Sequence, residues 1–226
     1  MDPLYIIVAS LYSDSYMAFL SNKSVRNKLV TGWLLLLAGL IGTIFWQTAW
    51  KYSLPTPIPS NYHDVPRGAS IVLPASAQSA VTADKPLFLH FFNPACPCSR
   101  FNMPQFRALV QQYGQQVSFA IVVMSPEKYT AAQLQAKFDL PYPIPVLSDS
   151  AIAAACGVYS TPQAVLIGAD GRLFYRGNYN RSRYCSDERT GFARQALDSF
   201  LHHNYSLTLS PMAFRAYGCQ LPTCRQ

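Results

Sequence analysis

The sequence predicts a mixed α/β domain, a central sheet flanked by helices, preceded by one transmembrane helix. Three observations carry that prediction. Between residues 86 and 202, unbroken apolar runs suited to buried strands alternate with runs of helical spacing, and a single Asp-Gly hairpin reverses the chain. Between Lys28 and Lys51 lie 22 uncharged residues, LVTGWLLLLAGLIGTIFWQTAW. At ~1.5 Å rise per residue they span about 33 Å, enough to cross a hydrocarbon core. The chain as a whole is 50% hydrophobic and 13% charged, roughly half the ~25% charge of an ordinary soluble protein. That balance excludes a disordered chain, a coiled coil and a charge-driven nucleic-acid arm, so no nucleic-acid partner is expected.

Taken in order, residues 1–28 read as a cytoplasmic segment, although MDPLYIIVASLYSDSY suits neither a signal nor a domain. Translation from Met17 in place of Met1 would give a conventional basic-then-apolar anchor. Residues 29–50 are the anchor itself. Trp33, Trp46 and Trp50, the three tryptophans of the chain, stand near its two ends, where indole rings favour the headgroup layer. A cleaved signal fits less well, because the apolar run exceeds the usual core of about 7–15 residues and Ala75-Ser76-Ala77 comes too late for cleavage. Lys23, Arg26 and Lys28 before the span, against Lys51 and then Arg67 after it, predict a cytoplasmic N-terminus and an extracytoplasmic remainder, periplasmic in a Gram-negative inner membrane.

Residues 51–68, with Pro55, Pro57, Pro59 and Pro66, read as an extended spacer holding the domain off the membrane. Residues 69–205 are the domain and 206–226 a cysteine-containing tail. Arg172, Arg176, Arg181 and Arg183 crowd one segment and read as a solvated basic face, with an anionic partner as the alternative.

Inside the domain, strands are expected at Pro86–Phe92, Val117–Met124, Ile144–Leu147 and Gln163–Ile167 from their apolar runs. Helices are expected at Ser99–Tyr113, Thr130–Phe138, Ser150–Ala155 and Arg189–His202. Asp170-Gly171 supplies the hairpin turn into a last strand at Arg172–Arg176.

The chemistry centres on Cys96-Pro97-Cys98, which follows a buried strand and opens a helix. Unsatisfied N–H groups and the dipole at a helix N-terminus stabilise an anion, so a cysteine there loses its proton more readily and becomes an attacking thiolate. Pro97 suits the first turn, where no N–H is needed. On spacing alone the pair could also be structural or hold a metal.

The run FFNPACPCSR resembles the thioredoxin superfamily, in particular its membrane-anchored extracytoplasmic thiol–disulfide oxidoreductases and their peroxiredoxin-like (redoxin) relatives. The resemblance implies a thioredoxin-like fold with Cys96 as nucleophile, Arg100 as the usual basic neighbour and Pro104 within the active-site helix. Ser160-Thr161-Pro162 resembles the cis-proline loop, which implies that Thr161 and Pro162 shape a groove for an extended client. PVLSD at 145–149 and GVYSTPQAVLI at 157–167 extend the likeness over about residues 80–203. Implied partners are client proteins with thiols or disulfides, a membrane or extracytoplasmic redox partner, and the lipid bilayer; no cofactor and no metal are implied.

There are three departures. Ala95 stands before the nucleophile, Ser99 takes the place of the usual second cysteine, and His90 sits where a buried acid is common. His90 could shuttle a proton near neutral pH or be a satisfied core histidine. Ser99 could hydrogen-bond the Cys96 thiolate. Residues two apart on a helix point some 200° from one another, so a Cys96–Cys98 bridge requires Cys96 outside the helix.

The other cysteines stay open: Cys185 as a neighbour of the site or a structural partner for Cys156, and Cys219 with Cys224 as a local tail disulfide or as a shuttle to Cys96. Six cysteines permit 15 pairings. A thiol peroxidase is weakened because Leu89 and Asn93 occupy the Pro and Thr/Ser offsets of that activating run. A copper-binding or metallochaperone role is the alternative from a different class, since two nearby thiolates can hold Cu(I); His202 and His203, at the end of the last helix, are its candidate distal histidines.

Overall fold

The computed structural model describes residues 23–50, 54–140, 144–182 and 190–221. The chain forms two compact units, Met1–Lys51 and Tyr52–Gln226. In the first, helix α1 (Lys23–Phe45) continues as a π-helical turn over Trp46–Trp50. Its side chains are solvent-facing throughout, and Lys23–Trp50 is long and apolar enough to cross a membrane. The start at Met1 or Met17 lies outside the described residues.

The second unit has a thioredoxin-like fold. Strands β1 (Leu87–Phe92), β2 (Ser118–Val123), β3 (Val146–Leu147), β5 (Gln163–Ile167) and β6 (Leu173–Gly177) form one sheet in the order β3-β2-β1-β5-β6. The β1/β2 and β2/β3 pairs are parallel, and β1/β5 and β5/β6 are antiparallel. This is the mixed direction the sequence implies. Between the strands lie α2 (Pro97–Tyr113), α3 (Ala131–Phe138) and α4 (Ser150–Cys156), and α5 (Phe192–Leu201) follows β6. Strand β4 (Ser160–Thr161) stands outside the main sheet and pairs with β7 (Cys219–Gln220).

Both faces of the sheet are covered, which explains why β1 reads as six consecutive buried residues. Phe88 and Phe92 join Phe106 and Val110 of α2 and Leu197 of α5 on one face. Leu89, Phe91 and Val165 meet Ile152 and Cys156 of α4 on the other.

Local chemistry sets the element ends. A capping box starts α3, with Gln133 N donating to Thr130 Oγ1 at 3.2 Å and Thr130 N donating to Gln133 Oε1 at 2.9 Å. Asp149 caps α4 by accepting from Ala151 N at 2.8 Å. The hairpin closes at Asp170-Gly171, with Gly171 at φ +75°, a conformation glycine adopts without steric cost. The last helix is shorter than the expected Arg189–His202, and residues 183–189 lie outside the described set.

The proline-rich segment differs from its expected role. It is extended, but its backbone lies along the domain: Gly68 N donates to Leu173 O at 2.7 Å, Ile71 N to Gly171 O at 2.8 Å, and Tyr62 Oη to Gly157 O at 3.1 Å. Two arginines of the expected solvated face are engaged in this docking. Arg176 pairs with Asp64 at 2.7 Å and Arg172 donates to Gly68 O at 2.8 Å.

Phe106, near the middle of α2, is a keystone of the core: fully buried, it stacks on His90 with ring centroids 4.5 Å apart and also meets Phe88 and Phe119. Replacing it with alanine should cost about 3–5 kcal/mol, the usual penalty for emptying such a site. Chemical denaturation of the detergent-solubilised chain measures this, and a loss under about 1 kcal/mol would contradict the packing role.

Candidate functional site

The β1–α2 connection positions Cys96. Asn93 builds a turn at the end of β1: its Oδ1 accepts from Ala95 N at 2.9 Å, and its carbonyl accepts from Cys96 N at 2.9 Å. Cys96 is therefore the N-cap residue of α2, extended at φ −83° and ψ 121°, with Pro97 as the first helical residue. Cys96 thus lies just outside the helix, the position a Cys96–Cys98 bridge would require. In its reduced form the thiol would face the positive end of α2.

Against Cys96 lies the loop carrying Thr161 and Pro162, joined by a cis peptide bond. Cys96 Sγ is 3.8 Å from Thr161 O. On the outer edge of this loop, β7 pairs antiparallel with β4, with Thr161 opposite Cys219 and Ser160 opposite Gln220. Cys96 and Cys219 are joined by a disulfide, their Cα atoms 6.2 Å apart.

That bond differs from two expectations. Cys96 is bridged to the tail rather than to Cys98, because strand pairing delivers Cys219 to the sulfur while Cys98 sits two residues on, buried in the first turn of α2. Cys219 is likewise not held in a local tail disulfide. Cys224 and Cys185 lie outside the described residues.

The remaining candidates separate by position. Ser99 is buried, and its Oγ accepts from Asn93 N at 3.2 Å, so it ties the strand-to-helix turn where a contact to Cys96 was expected. Arg100 is exposed. Pro104 lies inside α2.

Cys156 is at the end of α4, away from Cys96, and burial pushes its thiol up to about 12 against a smaller opposing effect of the Arg176 guanidinium. It is a free thiol among the described residues, and Cys185, the partner the sequence offered for it, lies outside them. A thiol so reluctant to ionise is a poor nucleophile at neutral pH. Among the described residues no group of three or more His, Cys, Asp or Glu side chains converges as a metal set.

His90 is wholly buried in the middle of β1. Its Nδ1 lies 2.7 Å from the Tyr179 hydroxyl, and among the described residues its Nε2 has no partner. Burial holds Tyr179 protonated well above the usual phenol range, so its hydroxyl and Nδ1 share one hydrogen bond whose direction follows the ring tautomer. Desolvation lowers His90 from about 6.5 to about 3. The ring is neutral near pH 7, one nitrogen satisfied and one bare.

Three further residues hold the site together. Asn93 builds the nucleophile turn. Asn178 anchors the tail, its N donating to Ala213 O at 2.8 Å and its Nδ2 to Met212 O and Arg215 O at 2.8 and 2.7 Å. Gly218, at φ +117°, passes so close to the loop that a Cβ would collide with Thr161 O. The glycine immediately before Cys219 was the available signal.

A family model described as a domain of unknown function (DUF6436) matches residues 70–223. No curated protein matches the chain. Among solved structures, a hypothetical protein, SMc02350, from Sinorhizobium meliloti 1021 shares 20% identity at TM-score 0.53, covering 71% of this chain and 96% of its own. An uncharacterized conserved protein from Geobacillus kaustophilus shares 20% at TM-score 0.55, covering 74% and 97%. The exposed lipoprotein thioredoxin Etrx1 of Streptococcus pneumoniae shares 19% at TM-score 0.39, covering 51% and 85%. At these identities the first two likenesses concern the fold.

The buried neutral His90 gives a pH test. The unfolded chain binds a proton at this histidine as pH falls through about 6.5, and the folded chain refuses it until about 3, so this group erodes stability progressively across that window. His90→Gln keeps an acceptor for Tyr179 and does not titrate. Melting temperatures between pH 7 and 4 should fall less steeply for the variant than for the parent chain; parallel slopes would show that His90 is not the titrating group.

Proposed function

For this chain, which belongs to the DUF6436 family, we propose a membrane-anchored thiol–disulfide oxidoreductase that acts outside the cytoplasm on protein thiols and disulfides. The observation that carries the reading is the placement of Cys96: a half-cystine at a helix N-terminus, against the Thr161–Pro162 loop, bonded to a cysteine presented on an added strand. An extended segment pairing with that loop brings its own sulfur to Cys96, which is the geometry disulfide exchange requires.

In the reduced chain the Cys96 thiolate, favoured by the α2 dipole, attacks a client disulfide. A mixed disulfide forms and one client thiolate leaves. Thr161 and Pro162 line the seat of the client backbone. Asn93 and Ser99 fix the turn that aims the sulfur, acting through Cys96 as positioning residues.

The anchor reading rests on the apolar helix Lys23–Trp50, and its orientation on the basic residues that precede it. An oxidising compartment also suits a chain whose nucleophile rests as a disulfide.

The test uses the full chain reduced with dithiothreitol, freed of reductant and mixed in detergent with a disulfide-linked peptide. Peptide thiols should appear at a rate that falls at least about 100-fold in Cys96→Ser, since the thiolate at the helix N-terminus is the attacking group. Cys156→Ser should leave the rate unchanged. Equal rates for parent and Cys96→Ser would sink the proposal.

A further inference from the structure

The tail does more at this site than a terminal extension needs to. Residues 210–221 run across the domain with Ala213, Ala216, Tyr217 and Leu221 buried, and Leu221 enters the hydrophobic cluster beside α4. Backbone bonds hold the run at intervals: Asn178 N to Ala213 O at 2.8 Å, Thr56 N to Ala216 O at 2.9 Å, and Leu221 N to Tyr159 O at 3.3 Å. Gly177 lacks the Cβ that would strike Ala213 O, and Gly218 the one that would strike Thr161 O. With the tail in place Cys96 is only 2% exposed.

We propose that residues 210–221 are a redox-linked strap in which Cys219 is the resolving cysteine of Cys96, and in which its strand occupies the same Ser160–Thr161 edge that a client segment must take. The inference rests on the oxidoreductase reading of Cys96 and assigns its partner sulfur. Client entry requires the strap to leave, and resolution requires it to return, so one segment alternates between the two tasks.

The exchange balances with two cysteines. Cys96 thiolate attacks one sulfur of the client disulfide, the Cys96–client bond forms, and the first client thiolate departs. Cys219 thiolate then attacks Cys96 Sγ. The Cys96–client bond breaks, the Cys96–Cys219 bond forms, and the second client thiolate leaves. Two electrons have passed from Cys96 and Cys219 to the client, and a dithiol reductant returns them. The reverse sequence oxidises a client dithiol.

Cys98 suits the resolving role less well. It is fully buried in the first turn of α2, whereas Cys219 already stands opposite Thr161.

The experiment uses the full chain in detergent, reduced and then exposed to glutathione disulfide, with adducts located by peptide mass mapping. Cys219→Ser should accumulate the Cys96–glutathione adduct at least about tenfold above both the parent chain and Cys98→Ser, because a mixed disulfide persists when its resolving thiol is absent. Accumulation in Cys98→Ser but not in Cys219→Ser would overturn the assignment and leave the oxidoreductase reading standing. No adduct at Cys96 in any variant would remove both.

The cover is tested separately. In the reduced chain, Gly218→Val should raise the alkylation rate of Cys96 by N-ethylmaleimide about tenfold, since a side chain at that positive φ cannot lie against Thr161. Gly218→Ala carries the same Cβ and the same expectation if the valine variant melts early. Rates equal to the parent's in a folded variant would show that the strap does not gate Cys96.

Discussion

The edge of Ser160 and Thr161 governs the arrangement around Cys96. Pro162 separates this two-residue strand from β5, and Pro has no N–H with which to extend a ladder. The edge therefore stands apart from the five-stranded sheet, with its own backbone groups to satisfy. β7 supplies the partner, and the register places Cys219 opposite Thr161. Because the Asn93 turn independently fixes Cys96 beside the Thr161 carbonyl, the two sulfurs meet without any segment dedicated to joining them. Disulfide pairing here is a consequence of backbone pairing.

The same sheet sorts the cysteines by environment. Burial at the C-terminal end of α4 raises the Cys156 thiol to about 12, which disfavours the thiolate that exchange needs. At Cys96 the end of a strand meets the start of a helix, where the dipole favours the anion. His90 shows the other side of deep burial. Its ring stacks on Phe106 and bonds Tyr179, and desolvation keeps it neutral, so a cationic role near pH 7 is closed to it. A neutral imidazole with a bare Nε2 remains able to relay a proton, which is a narrower role than titration in the physiological range.

The fold was legible because its signals are local and redundant. Unbroken apolar strands, helical spacing and the Asp-Gly turn each act within a few residues of themselves. The position of Cys96 at a helix start was legible for the same reason, through Pro97. The Cys96–Cys219 pairing was legible only as one of two open readings of the tail cysteines, since 123 residues separate the two sulfurs and their meeting depends on a two-residue ladder too short to leave a periodic pattern. The docking of residues 54–73 was equally hidden. Proline predicts an extended backbone but says nothing about what that backbone lies against.

The strap's hold depends on its redox state in a way that follows from its few contacts. Each backbone hydrogen bond contributes about 0.5–1.5 kcal/mol net, and of the four apolar side chains it buries two are small, Ala213 and Ala216, with Tyr217 and Leu221 the larger pair. Such a segment can open locally while the sheet stays intact, because little of the common core is lost with it. A disulfide adds a constraint of a different kind, tying the tail to a residue 123 positions away and removing open conformations outright. Glycines at 177 and 218 keep the seat shallow: they let the backbone approach closely without inserting side chains that would have to be extracted. Reduction of one bond therefore changes the tail from a fixed cover to a segment held by weak, independently breakable contacts, while the β1–α2 turn that aims Cys96 is held by Asn93 and Ser99 in either state.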